Sequence, residues 1–245
     1  MAVYVHTIVG VYVDGLAVHG FAEKLSLEGS ADEKIFTNLA SNGWHIKKVG
    51  LAQYSLDVGG FDDYAATGIA TVLKPVTNIG NASVFTVAPT TLGATVADPV
   101  FMGQGYLLHT DPMMGAVGDE ARIELGWKGD AQLVRGQVVH PEAARTASGN
   151  GTATALVPPT ATQSIYGHFH LLSVSGAGTI TFQVQTDDLV GMASPVTRLT
   201  SQAFAATGAQ RVSAAGSLAG EVFVRVIWTI AGFTSCTFSV AVGVG

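Results

Sequence analysis

Cysteine is nearly absent: the 245 residues contain one, Cys236. A lone thiol excludes an intramolecular disulfide framework and any zinc site built on a CxxC pair, and it leaves the redox compartment open. Charge is scarce too. Asp, Glu, Lys and Arg make up 12% of the chain, about half the usual fraction, which excludes a charge-rich disordered protein. The 30 glycines follow no period of three, so a collagen-like helix is also excluded. Cations are the scarcer sign, with 12 Lys+Arg against 18 Asp+Glu and a formal charge of −6. A protein that grips nucleic acid by its phosphates needs the opposite excess. Met1 to Gly10 has no Lys or Arg and no small-residue cleavage site behind a long apolar stretch, which argues against a standard signal peptide.

Long apolar runs are missing as well, with one near exception. Val226 to Gly245 carries no charge over 20 residues, the length of a membrane helix. Its interior alternates, however, with Cys236, Phe238, Val240 and Val242 on one parity and Thr237 and Ser239 on the other, after a break at Gly232. That pattern predicts two strands and a turn, with no membrane insertion.

What the chain has is apolar alternation. Residues of the AVILMFWYC set make up 48% of it, enough for a sizeable core at this length. In Arg122 to Lys128, Ile123, Leu125 and Trp127 alternate with Arg122, Glu124 and Lys128, the period of a half-buried strand. Leu25 and Leu27 repeat the pattern, as does Tyr54 to Val58 with Ser55 and Asp57 outside. Further on, Ile180, Phe182 and Val184 oppose Thr181 and Gln183, and Val222, Val224, Val226, Trp228 and Ile230 oppose Arg225 and Thr229. Gly176-Ala-Gly178 reads as a hairpin turn between Leu171–Ser175 and Thr179–Gln185. One short helix is predicted over Ser30–Leu39, where Ser30 could cap, Glu33 sits three residues on, and Ile35, Phe36 and Leu39 share a face. The expected fold is mainly β: two β-sandwich or barrel-like domains with at most one or two short helices.

The charge divides the chain. Residues 1–150 hold 9 Lys+Arg and 15 Asp+Glu, whereas 151–245 hold 3 and 3. Between them runs a small polar stretch, Arg145 to Leu156, followed by Pro158-Pro159, which favour extended chain. The expected division is a domain over 1–147, a linker over 148–160 and a C-terminal β-sandwich over 161–245.

Candidate chemistry is thin. His168 and His170 share one strand face, half of a metal site, with no third ligand evident nearby; they are more simply strand histidines at a domain or subunit contact. The pairs Asp62-Asp63, Asp119-Glu120 and Asp187-Asp188 sit at strand ends or beside glycine, where acidic residues are ordinarily solvated turn residues. Calcium in a loop such as Gln185–Gly191 would need only oxygens, but no EF-hand or RTX spacing is present. Gly103-Gln-Gly105 and Gly149-Asn-Gly151 lack the helix and lysine of a phosphate cradle. Cys236 shares parity with Phe238 and Val240 and reads as an inert core thiol; Trp127 and Trp228 fall on inward parities, as core residues do. No catalytic, cofactor or metal residue is predicted, and the chain is expected not to be an enzyme.

The order of the strand motifs carries a resemblance. "LSLEGSADEK" at 25–34 and "VGLAQYSLDVGGFDD" at 49–63 resemble the N-terminal pattern of the major tail proteins, the tail tube subunits of long-tailed, siphovirus-like bacteriophages. "GDEARIELGWKGDAQLVRGQVVHP" at 118–141 is similar to the family's next pair of strands. "HLLSVSGAGTITFQVQTDD" at 170–188, "TGAQRVSAAGSL" at 207–218 and "EVFVRVIWTIAGFTSCTFSVAVGVG" at 221–245 are similar to its C-terminal half. Lys74 to Thr110 matches least.

The resemblance implies a structural virion protein without an active site or cofactor. Its subunits would assemble in the host cytoplasm into stacked rings, commonly hexameric, around a lumen through which double-stranded DNA passes without specific binding. Residues 1–147 would build the tube, 161–245 would lie outside it, and the tape measure protein and other tail proteins would be partners. Glu28, Asp57 and Glu124 occupy non-apolar parities in the acidic first part and are the candidate lumen-facing carboxylates. Two other readings are compatible with a β-sandwich chain: a carbohydrate-binding or other surface-adhesion β-sandwich protein of a phage particle, and a jelly-roll hydrolase, for which no convergent carboxylates are evident.

Overall fold

The alternation is realised as strands. A computed structural model of the protein describes residues 10–36, 46–62, 69, 73, 79–89, 95–114, 119–216, 218 and 220–245, with side chains except at 34–36, 46–50 and 112–114. In chain order the strands are β1 (Gly10–Val13), β2 (Leu16–Ala17), β3 (Ala22–Phe36), β4 (Ile46–Phe61), β5 (Ala82–Ala88), β6 (Pro99–Met114), β7 (Arg122–Gly129) and β8 (Val134–Arg145). There follow β9 (Gly149–Asn150), β10 (Thr154–Ala155), β11 (Ser164–Ser175), β12 (Thr179–Asp187), β13 (Val196–Thr200), β14 (Gly208–Ala215), β15 (Phe223–Ala231) and β16 (Ser235–Val244). One 3-10 turn, Val18–Gly20, separates β2 from β3. The fold is mainly β, and its sheets are antiparallel. Met1 to Val9 and Asp63 lie outside the described residues.

The larger sheet runs β14-β11-β16-β8-β6-β5-β1-β2, with β7, β4 and β3 branching from β6. The branch exists because β6 is 16 residues long and serves two neighbours along one edge. Pro99–Met102 pairs with Val134–Gln137 of β8, and Gly105–Met114 pairs with β7, while β5 takes the opposite edge. β1 and β5 then close over β4 and β7, burying Val11, Val13, Leu56, Val58, Phe85, Val87, Ile123, Leu125 and Trp127 in one core.

The second core lies between two sheets. β8, β16, β11 and β14 form one wall, and β10, β15, β12 and β13, with β9 beside β15, form the other. Phe169, Phe182, Phe238 and Trp228 meet there, with Phe169 and Phe182 stacked at 5.5 Å and Phe182 edge-on to Phe238 at 4.9 Å. Such aromatic contacts add about 0.5–1.5 kcal/mol each beyond the area they bury.

Several expectations change on contact with the topology. Residues 30–36 are strand, paired with Ile46–Gln53 of β4, where a helix was expected; Thr37–Leu39 lie outside the described residues. A short helix is marginal alone, and pairing with β4 satisfies one whole edge of this backbone. Gly176-Ala-Gly178 is a turn as expected but not a hairpin, since β11 and β12 enter opposite sheets. The β15–β16 turn at Gly232 crosses over in the same way, and the two crossings pack so closely that a Cβ on Gly178 would clash with the Ala231 carbonyl oxygen. The stretch 148–160 is extended, and its outer bonding is specific: Gly149 and Asn150 pair with Trp228 and Ile227, and Thr154 and Ala155 with Val224 and Phe223. β8, on the N-terminal side of that stretch, contributes Val139 to the second core.

Candidate functional site

The three candidate carboxylates share one face. In antiparallel pairing, residues directly opposite one another point the same way. Ser26 pairs with Asp57, Glu28 with Ser55, Asp57 with Gly126, and Gly59 with both Lys24 and Glu124. Tyr106 and Asp111 of β6 extend the row opposite Lys128 and Glu124. The other face of the same strands presents Leu25, Leu27, Tyr54, Leu56, Val58, Leu107, Ile123, Leu125 and Trp127 to the first core. Packing of that core therefore aims Glu28, Asp57 and Glu124 away from it.

Sequence parity put Arg122 and Lys128 beside Glu124 but did not reveal that Lys24 of β3 joins the same face. Lys24 Nζ lies 3.1 Å from Glu124 Oε1, the two side chains meeting over Gly59, which has none of its own. Glu28 Oε1 accepts a hydrogen bond from Ser26 Oγ at 3.1 Å. Asp57 lies over Gly126, where a Cβ would come 2.8 Å from its Oδ1. With Asp111, Arg122 and Lys128 on the same parity, the face mixes both signs, acidic by a small margin. Its exposed ion pairs contribute about 0–1 kcal/mol each.

From this face a two-stranded ribbon continues past the sheet. β4 pairs with β7 only over Ser55–Phe61, whereas β3 and β4 stay paired out to Phe36 and Ile46. Among the described residues no strand occupies the outer edge of β3. Residues 28–33 are exposed throughout, and Leu51 on β4 is 81% exposed.

The remaining candidates have structural roles. Asp187 is buried, and its carboxylate accepts the Leu189 and Ser194 amides at 3.2 and 2.9 Å, fixing the loop behind β12. Among the described residues no group of three or more His, Cys, Asp or Glu could hold a metal. Glu221 takes a bidentate pair from Arg198, Nη2 to Oε1 at 2.6 Å and Nε to Oε2 at 3.0 Å, and accepts the Thr186 hydroxyl. Burial works to raise the Glu221 carboxyl, but these bonds outweigh it and hold the group below its ordinary range. Cys236 is buried in the second core, and burial pushes its thiol up. Trp127 and Trp228 are core residues.

His168 and His170 are buried completely, on the face of β11 turned away from the sandwich core. They lie at an internal contact, against Thr86 of β5. On the outer sheet a polar cleft of about 370 Å³ is lined by Asn150–Ala153, Val190–Met192 and Arg225. There Arg225 donates from Nε and Nη2 to Gln185 Oε1 at 3.1 and 2.9 Å.

No family model matches the chain, and no curated protein is similar to it at a significant level. Among solved structures it is similar to a protein of the virion of a native gene transfer agent particle, at 17% identity and TM-score 0.38, over 51% of this chain and 93% of the other. It is similar to the Dit protein of phage SPP1, described as a paradigm of the hub adsorption apparatus in phages infecting Gram-positive hosts, at 11% identity and TM-score 0.35, over 95% and 98%. It is also similar to an insecticidal delta-endotoxin of Bacillus thuringiensis, at 7% identity and TM-score 0.30, over 94% and 43%.

Proposed function

We propose that the protein is a structural subunit of a phage-type tail, assembling as stacked rings, with six-fold symmetry the working expectation, around a lumen that conducts double-stranded DNA. The observation that carries this reading is the β3–β4 ribbon. Two paired strands without a third, or without a covering layer, are marginal in water, and a long unpaired edge is a template for another chain. A second copy of the chain satisfies both needs. A surface with so little charge also suits burial between subunits, where charged residues are depleted.

The polar face of β3, β4, β7 and β6 then turns to the lumen, with Glu28, Asp57 and Glu124 among its carboxylates. Its near balance of charge suits passage of DNA. A basic wall would release counterions and bind phosphates, whereas an interleaved wall offers no uncompensated run of cations. Six copies bring a formal charge of −36 per ring over all their surfaces, of which this face carries only its small acidic margin, felt within about 8 Å at physiological salt. Residues 1–147 supply the wall in this scheme, 148–160 connect, and 161–245 face outward. The subunits are virion components assembled in the host cytoplasm, with the tape measure protein and other tail proteins as partners.

Leu51→Asp tests the ribbon. The reading expects a folded chain that no longer forms rings in sedimentation velocity; an undiminished oligomer would remove the ribbon from the interface. The alternative, a carbohydrate-binding surface protein, is favoured only by the polar cleft beside Arg225. Binding of the full chain to a glycan panel, abolished by Arg225→Gln, would establish it.

A further inference from the structure

His168 and His170 sit where the larger sheet curls back on itself. β11 is four ladders away from β5 along the sheet, yet Thr86 Oγ1 lies 3.2 Å from His168 Nδ1 and 2.9 Å from His170 Nε2. His168 Nδ1 also lies 3.1 Å from the Phe85 carbonyl oxygen, which only accepts, so that nitrogen carries the proton. The Thr86 hydroxyl is then free to donate to His170 Nε2. His168 Nε2 and His170 Nδ1 are buried with no hydrogen-bond partner. Both rings are thus held neutral by geometry.

The ionisable groups on the surrounding elements offer a second proton no counter-charge. Arg211 of β14 is paired directly opposite His168 and is itself cationic. Tyr12 of β1 approaches His170 ring to ring at 5.8 Å, but its hydroxyl donates to Glu142 Oε2 of β8 at 3.1 Å, which occupies that carboxylate. His19, in the 3-10 turn, lies behind Tyr12 at 5.6 Å. Asp14, in the β1–β2 turn, accepts the Val84 amide. The rest of the seam is apolar: Ala88, Val100, Met102, Val134, Val138 and Ala241. Burying an uncompensated charge in such a place is costly, and burial together with Arg211 holds His168 well below the ordinary imidazole range.

We propose that the His168–His170 pair is an acid-sensitive latch: protonation parts β11 and β14 from β1, β2 and β5. The hinge is the short β6–β8 ladder, Pro99–Met102 with Val134–Gln137, because among the described residues it is the one ladder that joins the two halves of the larger sheet. The linkage is signed by proton count. The open state binds protons at the ordinary imidazole value near 6.5 and the closed state does not, so acidification below that value favours opening by up to about 100-fold per pH unit for two protons.

The single native thiol makes this measurable. Ala88→Cys places a second small thiol in the apolar seam, whereas Cys236 lies in the sandwich core. Labelling of the full chain with a dithiodipyridine reagent, which reacts at acid pH, is followed at both positions from pH 7.5 to 4.5. The latch predicts that labelling at position 88 rises at least tenfold relative to Cys236 as pH falls, and that H168Q/H170Q abolishes the rise. The wild-type histidine background tests opening even if that double variant fails to fold. Equal rates at both thiols at every pH, or an acid step that survives in a folded H168Q/H170Q protein, would overturn the proposal.

Discussion

The second core is closed by two facing sheets, to which β8, β9 and β10 contribute along with β11–β16, and in it Phe169, Phe182, Phe238 and Trp228 touch ring to ring. The β3–β4 ribbon runs beyond the sheet, with no strand on the outer edge of β3 among the described residues and Leu51 in water. The charges differ in the same sense. Arg198 and Glu221 satisfy each other in a half-buried bidentate pair, whereas Lys24 and Glu124 meet on a solvated surface. One region is covered by its own contacts, and under the proposed function a second copy of the chain covers the other. Structural subunits combine the two in one chain, since the finished part can fix the shape that the unfinished part presents.

The largest effect should come from breaking the finished core. Phe182→Ala removes a fully buried ring that touches Phe169, Phe204 and Phe238, and should cost about 3–5 kcal/mol in chemical denaturation. A cost under about 1 kcal/mol would show the sandwich to be no better packed than the ribbon.

Acid should act next. His140 stacks on Phe238 at 4.4 Å, and its Nε2 accepts from Arg145 Nε at 3.1 Å, a bond that needs the neutral ring. Burial first, and Arg145 second, lower this imidazole to about 4. The unfolded chain therefore binds more protons between about pH 6.5 and 4. His140's contribution is fully present above that window and is lost as pH falls through it, by up to about 1.4 kcal/mol per unit. His140→Gln should flatten this slope in denaturation curves collected at pH 7, 5.5 and 4.5; an unchanged slope would assign the acid response elsewhere.

Much of this was legible in the residues, for a reason of period. Alternation identifies strands and their buried faces whatever the topology, so Trp127, Trp228 and Cys236 fell inward as expected, and Val226–Gly245 resolved into two strands about Gly232. Alternation is silent about which strand pairs with which. The Gly176–Gly178 turn has the same parity whether it closes a hairpin or crosses between sheets. Residues 30–36 carry both a capping pattern and apolar spacing, and pairing with β4 overrides them. At the candidate site, parity put Glu28, Asp57 and Glu124 outside, with Arg122 and Lys128 beside Glu124, but only register revealed that the three carboxylates share one face with one another and with Lys24. The contact of Thr86 with His168 spans 82 residues and left no local trace.

Smaller effects sharpen the contrast. Cys236 should react with a thiol reagent at neutral pH only after denaturation, because the sandwich stays closed; rapid native labelling would contradict its burial. Lys24→Ala should change stability by less than about 1 kcal/mol. Replacing Glu28, Asp57 and Glu124 by lysine should shift stability by about 0.5 kcal/mol or less at exposed Glu28 and by up to about 1 kcal/mol at Glu124, where the ion pair with Lys24 is lost, while producing assembled particles with slowed, salt-dependent DNA release. Release at the wild-type rate in low salt would remove the electrostatic role of this face.

The most direct test is a cryo-electron microscopy map of the purified full chain at high concentration. The account predicts rings or tubes with a bore wide enough for a DNA duplex, walled by the β3–β4–β7 face with Glu28, Asp57 and Glu124 toward the axis and the ribbon seated on a neighbouring copy. A strictly monomeric particle, or a ring whose bore is lined by residues 161–245, would contradict it.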